Sequence, residues 1–157
     1  MNDVTIRAAR QAEVDAVLEM YEWLFDPPGY TPQWWNVERA REALAEAIAA
    51  PTSTILVAEL AGGDLAGVVS AYLDLNSVRF GLRCWVEDLA VAPSRRSTGI
   101  GKALLDGAKA WAKEHGATHL ELDTGVARED AQRFYEREQP IATGYSYSWA
   151  LERTGRN

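Results

Sequence analysis

From Val86 to Leu105 the chain reads Val-Glu-Asp-Leu-Ala-Val-Ala-Pro-Ser-Arg-Arg-Ser-Thr-Gly-Ile-Gly-Lys-Ala-Leu-Leu, an apolar strand run joined to an amphipathic helix by a basic, glycine-containing loop. Such a junction suits an anion. The first N–H groups of a helix lack intrahelical partners, and the positive end of the helix dipole lies beside them. Gly99 and Gly101 let a ligand approach the backbone closely, Ser97 and Thr98 are expected to cap the helix, and Arg95, Arg96 and Lys102 add positive charge. A phosphate group is the expected ligand.

Spacing separates the phosphate loops that this run fits from those it does not. A Walker-type loop needs a glycine five residues before the Gly-Lys pair and Ser or Thr after the lysine, where this chain has Arg96 and Ala103. A dinucleotide fingerprint needs a third glycine where Leu104 stands and a first glycine directly after the strand, yet Ala92 to Thr98 intervene. Asp123 lies near the place of a ribose-binding acid and keeps that second reading open.

Arg96-Ser97-Thr98-Gly99-Ile100-Gly101 matches the Q/R-x-x-G-x-G/A signature of the GNAT superfamily of acyl-CoA-dependent N-acyltransferases. Glu87-Asp88-Leu89-Ala90-Val91 resembles the central strand of that family, and Ala131-Gln132-Arg133-Phe134-Tyr135 resembles the A-x-x-F/L-Y of its last long helix. The close match covers about residues 85 to 138.

The resemblance implies an acetyl-CoA-dependent transferase that moves an acetyl group from the thioester to a primary amine. Acetyl-CoA would lodge where the strand ending at Val91 splays from the strand starting near Thr118. Leu89, Ala90 and Val91 would meet the pantetheine arm through their backbone. Arg96, Ser97, Thr98, Gly99, Ile100, Gly101 and Lys102 would surround the pyrophosphate. Arg128 stands where many relatives carry a pantetheine-contacting Asn, and it either contacts the cofactor or forms a surface ion pair. The resemblance also makes Tyr135 the acid that protonates the departing thiolate. A phenol with a pKa near ~10 is protonated at neutral pH and suits that role.

An amine attacks only when neutral, so a base must accept its proton, and Glu87 is the candidate. By the period of two, residues 85, 87, 89 and 91 share one strand face; position 85 is Trp, leaving Glu87 to titrate there, with Asp88 on the opposite face. The acceptor wall is expected from Tyr30 and Trp34 in the aromatic loop between Phe25 and Trp35, with Tyr72 and Trp85. Tyr145 and Tyr147 are further candidates for it. Aromatic and acidic groups together suit a small cationic amine, while the same aromatics also suit a core or a homodimer interface. Two other readings stand beside the small-amine enzyme: a non-catalytic acyl-CoA sensing module, and a protein or peptide N-acetyltransferase.

The rest of the chain must position these groups. At 157 residues and 47% hydrophobic content, with no linker or repeat, the chain is expected to form a single domain over residues 1–157. A net charge of −7 argues against generic nucleic-acid binding. No apolar run approaches the roughly 18 to 20 residues that span a bilayer, and the N-terminus lacks a signal pattern, so neither a membrane partner nor export from the cytoplasm is expected. One cysteine, Cys84, excludes an internal disulfide, and two histidines, His115 and His119, form no metal-ligand cluster, so no metal is expected.

The periodicities predict a mixed α/β fold with antiparallel early strands, a parallel central pair at the cofactor and about four helices. Val4 to Arg7 reads as a strand, and Val14, Val17, Leu18, Tyr21, Leu24 and Phe25 as one helix ended by Pro27-Pro28-Gly29. Val37, Ala40, Leu44 and Ile48 mark a second helix. Thr54 to Leu60 and Leu65 to Leu73 read as a hairpin. Ile100, Leu104, Ala108 and Trp111 form a helical stripe closed by Gly116, and Thr118 to Asp123 is a strand that completes a right-handed βαβ unit. A helix over Arg128 to Glu138 and a terminal strand pair near Ile141 and Tyr145 to Leu151 finish the chain.

Overall fold

The computed structural model describes residues 3–151 and forms two compact units, residues 3–122 and 123–151. The first unit contains a five-stranded sheet in the order β1(Val4–Ala8), β2(Ser53–Leu60), β3(Leu65–Ser77), β4(Gly81–Val91), β5(His119–Glu121). Neighbours are antiparallel from β1 to β4, and β4 and β5 run parallel. The mixed α/β expectation holds.

Two apolar layers cover the sheet. On one face α4(Ile100–Glu114) packs Ile100, Leu104, Ala108 and Ala112 against Leu56, Val69, Cys84 and Val86, as the stripe predicts, with Trp111 at its edge. On the other, α1(Val14–Met20) and α3(Val37–Ala49) bring Val17, Met20, Leu44 and Ala47 onto Ile55, Val57, Val68 and Ala90. Asn36 caps α3 by accepting the Arg39 N–H, and Gly116, at φ +84°, closes α4.

Close helix–sheet approach depends on two small residues. A Cβ on Gly67 would lie 2.8 Å from Leu104 Cδ1 and 3.0 Å from the Ala90 carbonyl oxygen, and one on Gly107 would lie 3.0 Å from Ile6 Cγ2. Glycine there lets α4 sit down on β1, β2 and β3.

Several expected boundaries move. The helix predicted from Val14 to Phe25 is interrupted at Tyr21, leaving α1 and a single turn, α2(Glu22–Phe25). The β3–β4 hairpin continues beyond Leu73 and starts before Val86, because the polar and charged residues between them pair across an exposed ribbon; Arg83, for example, donates to both carboxylate oxygens of Asp74. The last strand of the first unit shrinks to His119–Glu121.

In the second unit α5(Glu129–Arg137) begins one residue after Arg128 and ends before Glu138. Gln132 Nε2 donates to the carbonyls of Gly125 and Val126, which ties the preceding loop to the helix. Gln139, at φ +56°, turns the chain out of α5. The terminal strand pair does not form: residues 140–151 are neither helix nor strand, and Ile141, Tyr145, Tyr147, Trp149 and Leu151 are exposed. Alternation of apolar and small residues makes a strand only beside a partner strand, and no strand occurs among the described residues of this unit.

Candidate active site

The β4–β5 ladder is short. It pairs Arg83 with His119, Cys84 with Leu120 and Trp85 with Glu121, while β4 runs on to Val91 with its registered partners on β3. Leu89, Ala90 and Val91 therefore lie on the stretch of β4 that runs on past the end of β5, where no parallel neighbour is paired with the backbone. At its end the chain passes through a 3₁₀ turn, Pro93–Arg95, into the basic loop. Arg96 Nε reaches back to the Val91 carbonyl at 3.4 Å.

The loop meets α4 differently from the expectation. Neither Ser97 nor Thr98 caps the helix: Gly99 is the N-cap residue, at φ +92°, with no side-chain cap, and the Thr98 hydroxyl donates to the Arg95 carbonyl. Ser97 is itself held at φ +61°. Two left-handed residues so close together turn the chain sharply, and the helical ladder starts only with Ala103 N–H to Gly99 O at 3.0 Å. The amides of Gly99, Ile100 and Gly101 precede that ladder. Nothing lies within 4 Å of where a Gly99 Cβ would be, so the backbone is approachable there. Lys102 is half exposed and pairs with Asp106 at 3.1 Å. A glycine cradle, a helix N-terminus and the exposed Arg95, Arg96 and Lys102 fit a pyrophosphate.

The face of β4 that carries the acids departs from strict alternation. Val69 pairs with Leu89 and Ala71 with Val86, so Glu87 and Asp88 together oppose Ser70 in a β-bulge. Before the bulge Cys84 and Val86 point to the α4 layer; after it Leu89 and Val91 do, while Ala90 joins the α1 and α3 layer. The expected common face of residues 85, 87, 89 and 91 is thereby broken. Asp88, expected on the face opposite Glu87, instead accepts a hydrogen bond from Tyr21 Oη at 2.8 Å. The Trp85 indole Nε1–H donates to Glu87 Oε2 at 2.6 Å.

Burial pushes the Asp88 carboxyl up from its ordinary value, against the Tyr21 hydrogen bond, and the Glu87 charge adds to the rise. Burial also raises Tyr21 and Tyr72, each reinforced by the charge of Asp88. Glu87 itself is exposed. The arrangement is an exposed carboxylate beside a half-buried one, with phenol and indole groups next to them.

The expected acceptor residues divide. Tyr72 and Trp85 face each other across β3 and β4 beside the acids, and Arg83 covers the Trp85 ring at 5.1 Å. Tyr30 is 77% exposed and Trp34 43% exposed, its carbonyl accepting from Arg39. Tyr145 and Tyr147 lie in the exposed terminal segment of the second unit. Trp35, at the end of the loop expected to form the acceptor wall, packs on Tyr21 (6.1 Å) and edge-on to Phe25 (4.8 Å); sequence reasoning missed Tyr21 and Ser70 as site residues. Tyr21 fits an apolar helical stripe, and only the bulge opposite Ser70 reveals what its hydroxyl does.

In the second unit Tyr135 is half-buried on α5 and its phenol is pushed up to about 12 by burial, against the nearby charge of Arg128. Arg128 occupies the N-cap position of that helix without capping it through its side chain. Among the described residues no group of three or more His, Cys, Asp or Glu is arranged to hold a metal ion, and no helix is long and apolar enough to cross a membrane.

Residues 17–139 match the acetyltransferase (GNAT) family. The uncharacterized N-acetyltransferase YhdJ of Bacillus subtilis (strain 168) is 42% identical over 59 residues, 38% of this chain and 42% of the relative. The aminoalkylphosphonate N-acetyltransferase of Salmonella typhimurium is 32% identical over 92 residues, 59% of this chain and 60% of the relative. The matched segments span about half the length of these two relatives. The solved structure of aminoglycoside N-acetyltransferase AAC(6')-Iy with CoA superposes with a TM-score of 0.80 over 98% of this chain and 97% of that one, at 17% identity, which shows a shared fold.

Proposed function

The chain belongs to the GNAT acetyltransferase family, and on that premise we propose that residues 1–157 act as one domain transferring an acetyl group from acetyl-CoA to the primary amine of a small cationic molecule. The observation that carries this reading is the cradle at Gly99 following a strand that runs on past the end of its parallel neighbour. When bound, acetyl-CoA supplies the acetyl group and a thiolate leaving group. The backbone of Leu89, Ala90 and Val91 holds the pantetheine arm, and the loop from Arg96 to Lys102 holds the pyrophosphate.

The remaining chemistry belongs to side chains. Glu87 takes the proton released as the amine nitrogen bonds to the acetyl carbon; its exposure leaves it reachable, and the Trp85 N–H orients it. Tyr135 gives its proton to the sulfur as the carbon–sulfur bond breaks. A phenol raised to about 12 keeps that proton throughout the neutral range, which supports the assignment.

For the acceptor, two adjacent carboxyl groups beside Tyr72 and Trp85 favour a polycationic amine over one that carries its own anion. The aminoglycosides named for the neighbouring structures are of that polycationic kind, whereas an aminoalkylphosphonate bears a phosphonate that Glu87 and Asp88 would repel. Mass spectrometry of an aminoglycoside, a linear diamine and an aminoalkylphosphonate, each incubated with protein and acetyl-CoA, tests the choice. Acetylated aminoglycoside or diamine is expected, and a phosphonate acetylated in preference to both would overturn the polycation assignment.

A further inference from the structure

The bulge on β4 is held from two sides. The Asp88 N–H donates to Ser70 Oγ at 3.0 Å, in place of a regular ladder bond, and the Ser70 hydroxyl stands 3.5 Å from Asp88 Oδ2. From the helical layer Tyr21 Oη donates to that same Oδ2 at 2.8 Å. Ser70 is fully buried, and Tyr21 is anchored by its stack with Trp35. The groups facing Asp88 are thus Tyr21 from the end of α1, Ser70 and Tyr72 from β3, and Glu87 from β4 itself. A partly buried carboxylate loses water and needs well-made hydrogen bonds in exchange, and its presence where a serine already satisfies the bulge amide points to a task beyond stability.

We propose that Asp88, clamped between Tyr21 and Ser70, is a positioning residue: it fixes the β4 bulge and thereby aims the neighbouring Glu87 carboxylate into the acceptor site. The bulge puts Glu87 and Asp88 opposite one β3 residue, so losing it would return the strand to strict alternation and turn one of these two side chains into the apolar α4 layer. Clamped, Glu87 stays exposed and within reach of the Trp85 indole. The clamp also joins the acid to Trp35 at the end of the aromatic loop through one phenol, so the wall of the acceptor site and its base share an anchor. This inference rests on the transferase reading for its purpose, and the geometry it asserts has a signature of its own.

That signature is the Trp85 indole N–H, whose NMR resonance reports the bond to Glu87. It is assigned by its loss in Trp85→Phe, then compared at neutral pH in wild type, Tyr21→Phe, Ser70→Ala, Asp88→Ala and Asp88→Asn. In wild type the resonance is expected downfield of a free indole, because the N–H donates to Glu87. In Ser70→Ala, Tyr21→Phe and Asp88→Ala it moves toward the free position, while Asp88→Asn, which keeps an oxygen for Tyr21, restores it. Transfer assays on the same proteins should show kcat/KM reduced on the order of 10-fold or more in Ser70→Ala, Tyr21→Phe and Asp88→Ala, with the loss chiefly in kcat. An unchanged indole resonance in a folded Tyr21→Phe and Ser70→Ala would overturn the positioning role. Failure of Asp88→Asn to restore the signal in a folded protein would do so too. A wild type without transfer activity would count against the transferase reading alone, because the indole signal decides the clamp without turnover.

Discussion

Tyr135 and Glu87 divide the proton traffic of the proposed reaction, and their surroundings suit opposite tasks. The phenol is half-buried and pushed up to about 12, so it stays protonated across the neutral range; the carboxylate is exposed and hydrogen-bonded by an indole. Replacing Tyr135 with Phe should lower kcat by roughly 10²-fold or more while acetyl-CoA affinity, measured by calorimetry, is retained. Because an acid acts only while protonated, Tyr135 should impose no alkaline decline on kcat until pH approaches about 12. A decline near pH 8 that disappears in Tyr135→Phe would contradict the assignment. Both assignments rest on the family motifs around these residues, which the sequence carries. Asp88 was visible yet misplaced: alternation puts it opposite Glu87, and nothing in the residue types announces a bulge that contains no glycine.

Elements with a partner beside them in the chain were the easiest to read. The stripe on α4, its closing Gly116 and the β2–β3 hairpin all follow from local periodicity and turn chemistry, and the structure has them. The strand pair expected near Ile141 and Tyr145 failed for the complementary reason, since a strand pattern says nothing about whether a partner edge is in reach. Close packing is similarly invisible in sequence until the layers are placed. Gly67 illustrates this: an alanine there would press on the Ala90 carbonyl oxygen at 3.0 Å, which cannot rotate away as the Leu104 methyl can. Gly67→Ala should therefore cost about 1–3 kcal/mol in urea unfolding. A neutral effect would mean that α4 can lift from β3 without loss.

At the scale of the molecule, an ion cluster joins distant parts of the first unit. Arg7 on β1 donates to Glu13 in the 3₁₀ turn before α1 and to Glu59 on β2. The Arg7 hydrogen bonds hold the Glu13 carboxyl down to about 2 from an ordinary 4.5, against a smaller opposing effect of burial. A carboxyl with a lowered folded value stabilises the protein above its unfolded value and loses that contribution as pH falls toward the folded one. Melting temperatures should accordingly drop between pH 4.5 and about 2, and Glu13→Gln should be less stable than wild type at neutral pH but converge with it at the acid end. A constant gap across that range would show that Glu13 contributes through packing alone. The net charge of −7 is carried on a fold whose cationic loop, Arg95 to Lys102, is gathered at the cradle, so acidity overall and anion binding locally do not conflict. The measurement that bears most directly on function is thiol release from acetyl-CoA, followed with and without a polycationic amine, in wild type and in Gly99→Val. The left-handed backbone at Gly99 disfavours any branched side chain, and the open space above it is where the pyrophosphate should lie. Amine-dependent thiol release that disappears in a folded Gly99→Val is the predicted result. Release that is independent of amine, or that survives the valine unchanged, would contradict acyl transfer at this cradle.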